Sequence, residues 1–294
     1  MSAQGILRLA DAAKDETTKQ QLQKLASDSY SDEISLKRVS VLDLLDRFPS
    51  VSLPFGSFLS LLPPIRPRQY SISSSPLDSP SRVTLTYTLL DAPSLANPAN
   101  KYIGVATAYL ASLVAGDRLY VSVRPTHTAF RLPDEANMGK TPIVCVAAGS
   151  GLAPFRGFIQ ERAAMLADGR QLAPALLFFG CRGPQLDDLY KEEFDKWVEM
   201  GAVDMRRAYS RVGSEETEAH GCKHVQDRLL HERDEVRAQW ENGARVYVCG
   251  SRHVGEQVKQ AMGKIVLGDD ATEDQIAQWY EGVRNERYAT DVFD

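Results

Sequence analysis

Along residues 1 to about 48, apolar side chains return at helical spacing. Leu7, Leu9 and Ala12, then Leu22 and Leu25, stand among Lys, Gln, Asp and Glu, which predicts helices that pack along one face. Val39 through Leu45 repeats the pattern, and Pro49, Pro54, Pro63, Pro64 and Pro67 then break any long helix, because proline lacks an amide proton and crowds the preceding turn. From Arg68 the rhythm shortens. RQYSISSS, RVTLTYTLL and DRLYVSVRP are rich in β-branched and aromatic residues and are separated by turn residues, with TAFRLP as one more short run. These predict strands of an antiparallel barrel or sandwich, with one helix over Gly104 to Leu113.

From Thr141 strand-like and helix-like runs alternate. PIVCVAA leads into APFRGFIQERAAML, and ALLFFG into a helix near Leu186 to Met200. VDMRRAY follows, then RVYVCG with a helix over Val254 to Val266, and a last helix over Glu273 to Val283. Continuous apolar strands alternating with amphipathic helices predict a doubly wound parallel sheet.

Composition narrows this only slightly. The 294 residues suffice for roughly two domains, and a net charge of -5 argues against nucleic acid or an anionic membrane as partner. No apolar run reaches the length of a membrane span, and no secretory signal is visible at the start. Cys145, Cys181, Cys222 and Cys249 are far apart, so neither a disulfide framework nor a metal site is expected, and a cytoplasmic location fits.

Chemistry is suggested where strands end in glycine: Gly149 with Gly151, Gly180, and Gly250. In an open parallel sheet the ligand crevice lies beyond the carboxyl ends of the strands, and glycine lets a backbone approach a ligand closely. In Gly149-Ser150-Gly151-Leu152-Ala153-Pro154 the helix start offers free amides to a pyrophosphate. Arg206 through Arg211 reads equally as a solvated loop or as a clamp for an extra phosphate, with Lys223 and Gln226 nearby. Tyr70, taken alone, reads as a half-buried strand aromatic, and Thr107 as a first-turn helix residue.

In order, the chain carries RQYS, GVAT, GSGLAPFRGF, FGCR, YSR, a VQ pair, VCG and a terminal DVF. This ordered set resembles the ferredoxin-reductase-type module of diflavin reductases, the NADPH–cytochrome P-450 reductase type. The wording is most similar to the reductase end of self-sufficient fungal fatty-acid hydroxylases. The resemblance implies a helical connecting segment over residues 1–66, an FAD-binding barrel portion over 67–135 and an NADP-binding domain over 136–294. It also implies that the upstream barrel strands, the FMN domain and any haem domain lie outside this chain, leaving the barrel incomplete.

The implied roles follow residue by residue. For FAD, Arg68 pairs with the phosphates, Tyr70 stacks on the isoalloxazine, and Gly104, Val105, Ala106 and Thr107 hold the pyrophosphate. Phe293 stands where the family usually has a tryptophan over the flavin, which points to altered NADPH/NADH preference. For NADPH, Gly149, Ser150, Gly151 and Arg182 bind the dinucleotide, while Ser210, Arg211, Lys223 and Gln226 read its 2′-phosphate. His224 and Cys222 replace the usual tyrosine and lysine of that site. Ser71, Cys249 and Asp291 orient the nicotinamide and balance charge during hydride transfer. The implied function is an NADPH-dependent flavoprotein reductase that passes electrons to an FMN domain or flavodoxin-like partner and on to a haem monooxygenase. Two other readings stay open: a non-catalytic nucleotide-binding fragment, or a reductase serving a sulfite-reductase or nitric-oxide-synthase type acceptor.

Overall fold

A computed structural model of the chain describes residues 1–125, 129–213 and 217–293. The chain divides into two units, Met1–Gln69 with Leu89–Asp117, and Tyr70–Thr88 with Arg118–Asp294.

In the first unit each early helix starts on a polar cap. The Ser2 hydroxyl accepts from the Gly5 amide at α1 (Ala3–Asp11), and the Asp15 carboxylate from the Thr18 amide at α2 (Glu16–Ala26). A π-helical turn over Tyr30–Ser35 precedes α3 (Val41–Arg47), where Ser40 and Asp43 cap each other reciprocally. Such caps take up amides that a helix start leaves unpaired. Ile6, Leu9, Leu22, Leu25, Ile34 and Leu44 fall on the faces that meet and form a buried cluster. Of the expected face Leu9, Leu22 and Leu25 belong to it, whereas Leu7 is exposed and Ala12 half-buried. A further helix, α4 (Phe55–Leu61), fits between the prolines with Pro54 at its N-cap. Strands β1 (Asp91–Pro93) and β2 (Lys101–Ile103) pair antiparallel and lead into α5 (Val105–Ser112).

The second unit is built on one sheet. Its elements are β3 (Ile143–Ala148), α6 (Ala153–Ala167), β4 (Ala175–Cys181), α7 (Lys191–Glu199), β5 (Asp204–Tyr209), α8 (Val225–His231), α9 (Arg233–Glu241) and β6 (Arg245–Ser251). After these come α10 (Arg252–Leu267), α11 (Glu273–Val283) and β7 (Tyr288–Phe293). The strands are parallel in the order β5-β4-β3-β6-β7. Alternate residues serve opposite faces. Cys145, Ala147, Leu177, Phe179 and Tyr247 pack with Phe155, Ile159 and Phe194 of α6 and α7. Val144, Val146, Leu176, Phe178, Val246 and Val248 pack with Leu229, Val236, Val258 and Met262 of α8, α9 and α10. Burial on both faces explains why these strands read as unbroken apolar runs.

The fold class matches the expectation: a small antiparallel sheet and a doubly wound parallel sheet with helices. The individual strand expectations fared unevenly. RQYSISSS and RVTLTYTLL form no ladder but a single antiparallel bridge, Ile72 with Leu85, supported by the Ser73 amide's bond to the Thr84 carbonyl and by bonds from the Thr84 amide and the Thr86 hydroxyl to the Ser74 and Ser73 hydroxyls. DRLYVSVRP joins no ladder among the described residues, and Tyr120, Val121 and Val123 are exposed. A strand exists only where a neighbour takes up its amides and carbonyls, however suitable its side chains. Ala129 to Pro133 of TAFRLP form no strand, and Thr128 lies outside the described residues. Conversely β7 was not anticipated. It is buried only at its first two residues, too short a signal to stand out. No described helix is long and apolar enough to cross a membrane.

Candidate functional site

The order of the sheet places its switch point between β3 and β6, because the chain winds outward through β4 and β5 and returns to the far side of β3 for β6. Crevices that bind dinucleotides open there, at the carboxyl ends of the strands. The turn after β3 is shaped for such a crevice. Gly149 sits at φ +55 with open space where a Cβ would project, whereas a Cβ on Gly151 would overlap the Cys249 carbonyl. Gly151 therefore lets the turn close directly onto the end of β6. Helix α6 then begins with no side-chain cap; its Ala153 amide donates to the Ser150 carbonyl, and Pro154 in its first turn has no amide proton to satisfy.

Ser71 and Asp291 stand 220 residues apart in the chain, and the Ser71 hydroxyl donates to Asp291 Oδ2 at 2.8 Å. Asp291 in turn is the register partner of Cys249 across β6 and β7. The structure thus brings all three residues to one place. Cys249 is buried, and burial, reinforced by the Asp291 carboxylate, pushes its thiol pKa far up, so it stays protonated at neutral pH. Phe293 lies at the end of the same strand, partnered with Ser251, and is about half exposed.

The segment carrying Tyr70 and Ser71 is fastened to α6 by residues that the sequence reading passed over. The Arg156 guanidinium donates to the Ser73 carbonyl at 2.7 Å and to Glu193 Oε2 at 2.7 and 3.1 Å, lying 4.4 Å over the Tyr190 ring. The Ser75 amide donates to Gln160 Oε1 at 2.8 Å, and Gly157 lets the Ser74 backbone lie against the helix. A lone arginine in the first turn of an otherwise apolar helix start was the available signal. Tyr70 meets Tyr87 edge-on at 5.9 Å.

A second group gathers at the ends of β4 and β5. The Ser210 amide donates to the Cys181 carbonyl at 2.9 Å, the Arg211 amide to the Arg182 carbonyl at 2.8 Å, and the Tyr209 amide to the Cys222 carbonyl at 3.1 Å. These bonds bring Arg182, Ser210, Arg211 and Lys223 together along the backbone. Gly180 admits Val225 closely, which carries Gln226 to the same edge. Arg211 and Lys223 are exposed, while Arg182 pairs with Asp187 at 2.8 Å. Arg206 and Arg207 take no part. They lie within β5, Arg206 bound to Asp204 and Glu235, and Arg207 buried among Asp188, Asp195 and Glu218. Of the two readings for the Arg206–Arg211 segment, neither solvation nor phosphate clamping describes these two guanidiniums.

The remaining candidates belong to the first unit. Gly104 caps α5, whose start has no side-chain cap. A Cβ there would press on Thr107 Oγ1 and Leu90, and the Thr107 hydroxyl donates to the Gly104 carbonyl at 3.2 Å. Val105 is exposed and Ala106 half-buried in that first turn. Arg68 is exposed, its guanidinium donating to the Arg66 carbonyl at 2.7 Å.

These two glycine-shaped helix starts agree with two family matches. Residues 1–109 match the model of an FAD binding domain, and residues 145–260 that of an oxidoreductase NAD-binding domain. The chain thus pairs an FAD binding domain with an oxidoreductase NAD-binding domain, a ferredoxin-reductase-like arrangement. A bifunctional cytochrome P450/NADPH–P450 reductase of Fusarium oxysporum is 58% identical over 98% of this chain and 27% of its own length. A self-sufficient cytochrome P450 monooxygenase of Aspergillus terreus is 49% identical over 92% of this chain and 25% of its own. A bifunctional P450/NADPH–P450 reductase of Acremonium egyptiacum is 40% identical over 98% and 27%. The chain spans about a quarter of the length of these relatives and corresponds to their reductase portion.

Proposed function

We propose that this chain is an NADPH-dependent flavoprotein reductase module that accepts hydride from NADPH onto FAD and delivers electrons to an FMN domain or flavodoxin-like partner, and through it to a haem monooxygenase. The Ser71–Asp291 hydrogen bond beside Cys249 carries the reading. A binding relic has no need to hold a hydroxyl, a carboxylate and a protonated thiol together at the mouth of a nucleotide crevice. The P450 partnership rests on the relatives, two of them named bifunctional P450/NADPH–P450 reductases and the third a self-sufficient P450 monooxygenase. Four unpaired buried cysteines support a reducing, cytoplasmic setting.

The residues present fit both cofactors. Open space over Gly149 and the uncapped start of α6 suit the NADPH pyrophosphate, and exposed Arg211 and Lys223, with Ser210 and Gln226, suit the 2′-phosphate. Within the first unit Gly104–Thr107 and Arg68 suit the phosphates of FAD, and within the second Tyr70 and Phe293 are rings of the kind a flavin stacks on. FAD, when bound, supplies the change from two-electron to one-electron chemistry. The protein's part is placement and electrostatics. Asp291 holds the Ser71 hydroxyl in one orientation, and its carboxylate would balance positive charge on a nicotinamide ring bound beside it. Cys249, kept protonated by burial, offers an uncharged thiol wall and a weak donor. Arg156 holds Ser73 and with it the strand-like segment bearing Ser71.

The test is to purify the chain with added FAD, record its visible spectrum, and add NADPH without oxygen. A bound-flavin spectrum that bleaches supports the module. Binding of NADPH analogues without FAD would leave a nucleotide-binding fragment instead.

A further inference from the structure

The turn before α8 and the junction after it place two imidazoles and a carboxylate together. Ligand atoms of His220, His231 and Glu232 all lie within 4.8 Å of one another. The two rings stack at 4.9 Å between centroids, 22° from parallel. Both histidines are exposed and Glu232 is half-buried. None of these residues belongs to the nucleotide or flavin groups described above.

The geometry points to a divalent transition-metal site, of which zinc is the natural occupant. A tetrahedral zinc with bonds of about 2.0–2.1 Å needs ligand atoms roughly 3.3–3.4 Å apart, so the side chains must close by little more than an ångström. Exposed imidazoles reach this by turning out of their stack. Three protein ligands leave a fourth position for water.

The surroundings hold the ligands in place beforehand. The buried Arg228 guanidinium donates to the Glu218 carbonyl at 2.6 Å and the Arg207 carbonyl at 3.1 Å, fixing the turn that carries His220. The same guanidinium donates to Glu232 Oε1 at 2.9 and 3.1 Å, orienting the carboxylate. One arginine thus braces both walls, and a carboxylate held by one oxygen has its second oxygen to offer a metal. His220 sits at φ +50, a left-handed conformation supported by its amide's bond to the Thr217 carbonyl at 3.1 Å.

The neighbouring charges select the ion. Arg228, and Arg206 at 3.7 Å from Glu232 Oε1, disfavour a hard cation held by charge alone. Imidazole nitrogen suits zinc, copper, nickel or cobalt, and not magnesium or calcium. Cysteine spacing, which suggested no metal site, was uninformative because none of the ligands is a cysteine. Cys222 is nearby, but its Sγ faces the His220 carbonyl at 3.9 Å and burial raises its pKa. An ion here would tie the turn at residues 217–220 to the α8–α9 junction, just before Lys223. The site is independent of the reductase reading.

The test uses the full chain without a histidine tag, stripped with chelator and titrated with cobalt(II) while visible absorption is followed. One saturable band per chain, displaced by zinc, is expected. His220→Asn, which tolerates the left-handed backbone, and His231→Gln should each abolish it, with melting temperatures unchanged because both rings are exposed. Cys222→Ser should leave the band intact. Absence of a saturable band in the wild-type chain, or a band that survives both histidine substitutions, would overturn the site.

Discussion

Two hexapeptides of the second unit have nearly the same pattern and opposite fates. Arg118–Val123 reads RLYVSV, and Arg245–Gly250 reads RVYVCG. The second is β6, between β3 and β7, with Tyr247 1% exposed and its hydroxyl donating to the Arg131 carbonyl at 2.6 Å. The first joins no ladder among the described residues, and Tyr120 is 102% exposed. Side-chain preference for strands is equal in both. What differs is a partner on each side, which satisfies the backbone and supplies a packed surface for alternate residues.

The comparison is sharpest at its tyrosines. Tyr247→Ala removes a ring packed edge-on against Phe130 and Phe158, and a loss of about 3–5 kcal/mol is expected for a large buried aromatic. Tyr120→Ala should change stability by no more than about 0.5 kcal/mol, as for an ordinary surface position. Denaturant melts of the two variants decide the matter, and equal losses would break the contrast.

The partnering of β6 with β7 also aligns Asp291 with Cys249, so Asp291→Asn should slow flavin reduction by NADPH on the order of 10²-fold. Stopped-flow bleaching of the flavin reads this directly, and an unchanged rate would remove Asp291 from the mechanism. Stability should stay near wild type in this variant, because Asp291 lies in the exposed part of β7. Gly151→Ala drives a methyl into the Cys249 carbonyl at the end of β6 and should cost about 1–3 kcal/mol as an overpacked site. It should also weaken binding of an NADP analogue, measured by calorimetry, since the crevice turn must move.

The mildest probe is chemical. Ser122 occupies in the unpartnered segment the place that Cys249 holds in β6. Ser122→Cys should alkylate at the ordinary rate of an exposed thiol, whereas Cys249 should react only as the unit unfolds, because burial raises its pKa and blocks access. The sign of the linked stability follows. A thiol whose folded pKa exceeds its unfolded one gives stability that is complete below the ordinary thiol range and is lost as pH rises above it. Melting temperatures across alkaline pH should fall less steeply in Cys249→Ser than in wild type.

Much of the parallel sheet was legible in the chain. Buried strands flanked by helices on both faces leave continuous apolar runs, and β3, β4 and β6 fall where those runs stand, with β5 on the strand-like VDMRRAY. The glycine turns were legible too, since Gly151 has no room for a side chain and Gly149 takes a positive φ that favours glycine. Where burial covers only part of an element, the pattern failed: β7 was missed, and RLYVSV was given a ladder it does not form. The basic segment misled in another way, because charge in the sequence does not reveal partners. Arg206 and Arg207 are engaged by carboxylates from α7, α9 and the turn before α8, while Arg211, a few positions on, is exposed.

Local preference thus settled which stretches could be helix or strand, which turns had to be glycine, and which family the ordered motifs resemble. Only the tertiary structure decided which strands found neighbours and which arginines were neutralised. It alone brought Ser71 to Asp291 and His220 to His231 and Glu232. Propensity acts over a few residues, but a hydrogen-bond ladder, an ion pair or a ligand set is made between groups whose separation along the chain carries no information about their separation in space.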